Sequence, residues 1–270
     1  MLRSEGQRLT KVVVCPPNEE YFHVPDLAAH NINEIPDRPK TAQQHDHLKS
    51  VMAQTGTAVI DVAELSGHPN SVFTRDVALC TPKGYVALRM GLGSRRGEES
   101  WMARILESMG EPQAGTIHEP GTVEGGDILL AEKVAFVGAS KRTNPIGVEQ
   151  ISEILKEMDY EVRVLPVPDG YLHLGGAMSV IAPDRIVCCR SEFDPSLIRG
   201  IDIVDVPKRG PSTGNVICLA PNEVLGNVAE NEEALDILDE HGVHIHPVDL
   251  SEFRKGAGGP TCLILPVERA

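Results

Sequence analysis

The sequence predicts an α/β protein in which five small β-β-α-β units ring a common centre, a five-bladed α/β propeller, and three observations predict it. First, two apolar runs joined by a short polar turn, then a helical stretch, then another apolar run, recur along the chain. Second, the turns APDR (182–185) and APNE (220–223) occupy equivalent places in their units. Third, the chain of 270 residues is 41% apolar, enough for a large core, yet no unit of this size can hide its own apolar face. The units must therefore pack on one another in a single domain, residues 1–270.

The first complete unit reads VFTRDVALC, the turn TPKG, YVALRM, a helix from about 95 to 109, and AGTIH. In the second, DILL and VAFVG flank the turn AEK. Asn144 then caps a helix with Pro145 at its first position, whose apolar face is Val148, Ile151, Leu155 and Met158, and YEVRVLPV closes the unit. The third has AMSVI, IVCC, a weak helix around SLIRG (196–200) and IDIVDV. NVICL, VLGNV, a helix over NEEALDILDEHG ended by Gly242, and VHIHPV make the fourth. The remaining apolar runs, 261–265 and 11–15, with a helix over 41–54 and the run TAVIDV, make a further unit split across the termini. A doubly wound open sheet would show a similar alternation, but no Gly-rich phosphate fingerprint stands in the right context.

Composition narrows the function. A formal charge of −14 opposes approach to nucleic acid or an anionic membrane and favours a small cationic partner. No window approaches the roughly 20 apolar residues of a membrane helix, and MLRSEGQRLTKVVVC lacks the apolar core of a leader. The six cysteines show no CxxC spacing and sit mostly in strand-like runs, which reads as reduced thiols in a cytoplasmic protein. A homodimer is compatible with this composition.

Asp76, Glu124, His173, Thr213 and Cys262 each precede or open the first strand of a unit, spaced by 48, 49, 40 and 49 residues. If the units are related by rotation, these positions converge on the axis. Taken singly each has a structural reading: Glu124 and Asp127 would cap the Gly-Gly turn between them, and Asp76 would pair with Arg75 or Arg89. Together, two carboxylates, an imidazole and a thiol are what nucleophilic attack on a cation requires. Gly258-Gly259 would give the backbone room or a positive φ beside the sulfur. Arg89 and Arg142 offer planar guanidinium groups that grip a carboxylate with two hydrogen bonds. Arg95 and Arg96 are expected on an exposed helix start, paired with Glu98 and Glu99.

FTRDVAL, LRMGLGSRRGEE, VEGGDILL, FVGASKRTN, YLHL and GGPTCL, six stretches in order, resemble the guanidine-modifying enzyme (amidinotransferase) superfamily, most closely the dimethylarginine dimethylaminohydrolases, with features of the arginine deiminases. The resemblance implies the five-bladed α/β propeller fold and no metal or cofactor. It implies Cys262 as nucleophile, His173 as general acid and base, Glu124 and Asp76 as guanidinium ligands, and Arg89 and Arg142 on the substrate carboxylate. Nω,Nω-dimethylarginine going to citrulline and dimethylamine through a covalent thiouronium is the expected reaction. Two departures concern the substrate. Where deiminases carry an aspartate two residues past the histidine, this chain has Gly175, which leaves room for N-methyl groups. Asn70 and Arg75, in contrast, look like the deiminase version.

An arginine deiminase or dihydrolase acting on free arginine is the alternative within this class, with an amidinotransferase, which needs a second amine, behind it. Outside the class stand a noncatalytic arginine-binding protein and a metal-dependent hydrolase. The last is prompted by His45/His47 and His244/His246, for which no acidic partner is evident in the sequence. Residues 16–40 lack periodicity and are expected to act as a lid, with Asn31 or Asn33 touching ligand.

Overall fold

A computed structural model describes residues 2–270. Its strands are β1 (Leu9–Val14), β2 (Ala58–Asp61), β3 (Ala78–Thr81), β4 (Gly84–Ala87), β5 (Gln113–Thr116), β6 (Ile128–Ala131), β7 (Val134–Ala139), β8 (Glu161–Pro166), β9 (Met178–Ala182), β10 (Arg185–Cys188), β11 (Asp202–Asp205), β12 (Val216–Ala220), β13 (Glu223–Asn227), β14 (His244–Val248) and β15 (Leu265–Arg269). They form five three-stranded sheets: β15-β1-β2, β3-β4-β5, β6-β7-β8, β9-β10-β11 and β12-β13-β14. The expected five-unit α/β architecture is therefore present, including the blade closed across the termini.

All five blades share one wiring. The inner strand (β15, β3, β6, β9 or β12) is antiparallel to the middle one, and the outer strand is parallel to it. Inner strands are buried almost throughout, which is why they read as unbroken apolar runs. Outer strands are largely exposed or half-buried.

A parallel link needs a crossover, and helices Arg38–Gln54, Glu98–Ser108, Pro145–Lys156 and Val228–Glu240 supply four. Asn144 accepts a hydrogen bond from Gly147 N at 2.8 Å, the expected cap, and Gly242 at φ +77° ends the last of the four. The blade β9-β10-β11 differs from the expectation. No helix forms over 196–200; the link has turns and one 3-10 turn, Arg190–Glu192. Pro195 and Gly200 leave four residues between them, too few to nucleate a helix.

Five apolar clusters fill the five gaps between neighbouring blades. Leu79 and Val86, for example, meet Ile128, Val137, Ile151 and Leu155 across one gap. Val13 and Leu265 meet Tyr85 and Met102 across another, and the remaining gaps are filled likewise. Ile151 and Leu155 are fully buried, and each contributes ~1.5–3 kcal/mol by leaving water. Among the described residues no helix is long and apolar enough to cross a membrane.

One repeated device positions the site. Four inner strands are entered through a single tight helical turn: Thr74–Asp76, Gly125–Asp127, Leu174–Ala177 and Pro260–Leu263. The expected strand 261–265 is thus corrected: the strand begins at Leu265, and Cys262 sits in the turn ahead of it.

Candidate active site

Those turns deliver Asp76, Glu124, His173 and Cys262 to the lining of one cavity. Glu124 is fully buried. Its Oε1 accepts hydrogen bonds from Gly91 N and Leu92 N, each at 3.0 Å, and Arg142 Nη1 lies 3.3 Å away. Its Oε2 is 2.8 Å from His173 Nε2. Burial opposes ionisation of Glu124, but the His173 hydrogen bond and the charges of His173, Arg95 and Arg142 outweigh it and hold the carboxyl well below its ordinary value. His173 is the mirror case. Burial disfavours the imidazolium, yet Asp76, Asp127 and Glu124 raise it to about 9, so the ring is protonated at neutral pH.

Asp76 Oδ2 is held by Arg95 Nη1 at 2.6 Å. Its Oδ1 is buried without a hydrogen-bond partner, 3.9 Å from His173 Nδ1, on the cavity wall. A free anionic oxygen in such a place is a socket for a donor. Cys262 is the one cysteine of the six that is not buried. Desolvation and the Asp76 charge push its thiol up to about 11, so thiol and imidazole are both protonated at neutral pH.

The expected exposed helix start at Arg95 is corrected. Gly97, at φ +105°, separates the 3-10 turn Gly93–Arg95 from the helix at Glu98, and Arg95 turns inward to 3% exposure. Besides Asp76 it binds Glu98 Oε2 through Nε and Nη2, at 2.9 and 2.7 Å, and the carbonyls of Asn70 and Phe73. Asp76 therefore pairs with neither Arg75 nor Arg89. Arg75 is buried against Glu5 and the carbonyls of Gly125 and Ile128.

Arg142 lines the cavity, but its guanidinium rests on Glu124. Arg89 does not line it; its side chain bonds Gly121 O and Glu119. Asn70 lines it and is joined to His30 by Nδ2 to the carbonyl and Oδ1 to the ring. Of the expected lid residues, Asn31 reaches the cavity, whereas Asn33 lines the wider mouth outside. Positive φ beside the sulfur belongs to Ala257, at +59°, and to neither glycine of the pair. Gly258 is required for another reason: a Cβ there would fall 2.2 Å from the Phe73 ring.

The fourth axial position is corrected from Thr213 to Asn215. Thr213 Oγ1 bonds Arg209 N and Gly210 O. Asn215, 2% exposed, donates from Nδ2 to Gly175 O at 2.9 Å and Thr261 Oγ1 at 2.8 Å, and accepts from Thr261 N at 3.0 Å. It ties the turn after His173 to the turn bearing Cys262. Asp127 acts similarly, accepting from Leu174 N, Ser140 Oγ and Thr143 Oγ1. A signal for Asn215 was present: like Asp127, it immediately precedes an inner strand.

Asp76, Glu124 and His173 have donor atoms within 4.8 Å of one another, and a metal ion there would have to displace the proton that the neighbouring carboxylates favour on His173. His45 is buried and His47 exposed on opposite faces of one helix, so that pair cannot chelate. The absence of an acidic partner for His244/His246 is corrected: Glu223 Oε1 stands 2.9 Å from His246 Nε2.

The model of the arginine deiminase family matches residues 24–205 and 198–269, nearly the whole chain. This chain belongs to the arginine deiminase family. That family, with the related dimethylarginine dimethylaminohydrolases, comprises hydrolases of the guanidino group. The N(G),N(G)-dimethylarginine dimethylaminohydrolase of Pseudomonas aeruginosa is 27% identical over 234 residues, 85% of this chain and 89% of that one. The arginine deiminase of Listeria welshimeri is 24% identical, covering 93% of this chain and 72% of its own. An uncharacterised protein of Aeropyrum pernix is 34% identical over 78% of each chain. The solved structure of a Cys-to-Ser mutant of the Pseudomonas enzyme, complexed with citrulline, superposes with a TM-score of 0.83 over 96% of this chain and 99% of that one, at 23% identity. That likeness shows that this chain shares the fold of the Pseudomonas enzyme, and the five three-stranded sheets are those of the expected five-bladed α/β propeller.

Proposed function

We propose that this protein hydrolyses the guanidinium group of an arginine derivative, with Nω,Nω-dimethylarginine as substrate and citrulline and dimethylamine as products. The observation that carries the reading is the meeting of the Cys262 thiol, the His173 imidazolium and the two carboxylates of Glu124 and Asp76 on one cavity wall. The substrate guanidinium takes the place of Arg142 on Glu124 and donates to Asp76 Oδ1. Arg142, released, turns to the substrate carboxylate.

The cation is itself the trigger. A unit charge ~4 Å from the sulfur supplies ~4 kcal/mol at an effective dielectric near 20, equivalent to ~3 pKa units. A thiol at about 11 then ionises near pH 8, releasing its proton to solvent. The thiolate adds to the guanidinium carbon. His173 gives its proton to the departing amine, the C–N bond breaks, and a covalent thiouronium remains. Neutral His173 then takes a proton from water, whose oxygen adds to the same carbon, and collapse expels the thiolate and leaves the ureido product.

Support for a substituted guanidine comes from a second, open cleft, which meets the first cavity at Cys262 and His173 and is walled by the small residues Gly126, Gly175, Gly176 and Thr261. Two N-methyl groups need such space. The arginine deiminase model that matches the chain supports free arginine as the second reading. Incubating the pure protein with dimethylarginine and with arginine decides between them: dimethylamine from the first carries the proposal, ammonia from the second alone carries the alternative. Release of neither amine from any guanidino compound tested would leave a noncatalytic binder.

A further inference from the structure

We propose that Glu223, His244 and His246 form a binding site for a divalent transition metal ion of the zinc type, separate from the Cys262 cavity. The three lie at the outer edge of the blade β12-β13-β14, where β13 and β14 run parallel with Glu223 registered on His244 and Leu225 on His246. Residues two apart on a strand share a face, so both imidazoles of β14 project together, on the same side as the registered Glu223. Their ring centroids are 4.7 Å apart, edge to face. Glu223 Oε1 is 2.9 Å from His246 Nε2, and one donor atom from each residue lies within 4.8 Å of the other two.

Zinc bonds of ~2.0–2.2 Å in a tetrahedron place donor atoms ~3.3–3.6 Å apart. The donors, within 4.8 Å of one another, therefore need to draw in by about an ångström, a distance within reach of side-chain rotation. The frame that carries the donors is already fixed. Pairing continues from Glu223↔His244 to Asn227↔Val248. The turn before it is pinned by Asn222, which at φ +58° donates to Ile181 O and accepts from His244 N, both at 2.8 Å.

Two imidazoles and one carboxylate suit zinc and its neighbours, whereas calcium and magnesium take all-oxygen sets. The chain's formal charge of −14 favours any cation at its surface. None of the three residues lines the Cys262 cavity, and all remain partly or fully exposed, so an ion reaches them directly. Three protein donors leave a fourth position to water or to a donor from another molecule. Because the metal bridges β13 and β14, it stabilises the folded chain by mass action.

The test is a calorimetric titration of zinc chloride into the intact chain at neutral pH, with Cys262 first alkylated so that its thiol takes no metal. One bound equivalent is expected. His244→Ala and Glu223→Gln should each weaken it at least ~10-fold, while magnesium chloride should give no heat of binding. In EDTA all variants should melt at the temperature of the unaltered chain, which shows that they fold. A His244→Ala/His246→Ala double variant that titrates like the unaltered chain overturns the proposal. So does loss of the bound zinc in an Asp76→Asn/Glu124→Gln variant, which would locate the ion at Asp76, Glu124 and His173.

Discussion

Arg95 Nη1 stands 2.6 Å from Asp76 Oδ2, and the same guanidinium holds Glu98 through two further nitrogens. One buried cation thus fixes a cavity wall from behind while leaving Asp76 Oδ1 free in front. Replacing Arg95 by alanine strands two buried carboxylates, a loss of the kind that costs ~3–5 kcal/mol. Denaturant unfolding of Arg95→Ala should show a drop of that size. A change below ~1 kcal/mol would mean that water already compensates the pair.

His173 is held protonated by Asp76, Asp127 and Glu124. Its folded value, about 9, lies above its ordinary 6.5. The stability this provides is complete below pH 6.5 and lost as pH rises through about 9. Imidazole titration by NMR should place the midpoint near 9 in the free protein. Glu124→Gln removes the nearest carboxylate and should lower that midpoint; a resonance already titrating below 7 in the unaltered chain would contradict the ion pair.

Cys262 is raised to about 11 and His173 to about 9, so thiolate beside imidazolium, the form the proposed mechanism uses, is a minority of the free protein. Its share grows tenfold per pH unit up to about 9, is level to about 11, and falls beyond. On the hydrolase reading, kcat/KM for the guanidino substrate should follow that profile. Alkylation of Cys262 by iodoacetamide should rise with pH in the free protein and shift toward lower pH with a bound cation. Cys262→Ser should abolish turnover while ligand binding persists; rapid alkylation at pH 7 without ligand would argue against the trigger.

Asn215 joins the carbonyl of Gly175 to both the amide and the hydroxyl of Thr261. It does not touch the guanidinium in the proposed mechanism, so it acts as a positioning residue. Asn215→Ala should cut kcat at least ~10-fold, since small misplacements of reacting groups are costly, and leave KM within about threefold. An equal loss in both constants, tracking a lower melting temperature, would make its role one of general stability.

How far the sequence could be read depends on which physical signal each element carries. Inner strands were legible because burial on both faces writes an unbroken apolar run, and the Asn144 cap because its chemistry is local. Glu124, His173 and Cys262 were legible through repetition, since each precedes an inner strand by a turn. Arg95 was misread because its inward course depends on one backbone torsion at Gly97, which composition does not reveal. Arg89 was misplaced for a similar reason: side-chain direction at the end of a strand is decided by tertiary partners, here Gly121 O and Glu119. The missing crossover helix between β10 and β11 left a visible mark, Pro195 and Gly200, which the weak apolar pattern between them outweighed.

The pairing of β15 with β1, Leu9 against Arg269, gives the molecule a seam where sequence-distant segments are sewn together. The turn bearing the thiol is pressed against blades translated long before it. In chain order, four blades together with Asp76, Glu124 and His173 come before Cys262. Joining the two ends by a short linker and opening the chain in another surface turn should yield a permuted protein whose sulfur emerges early in synthesis.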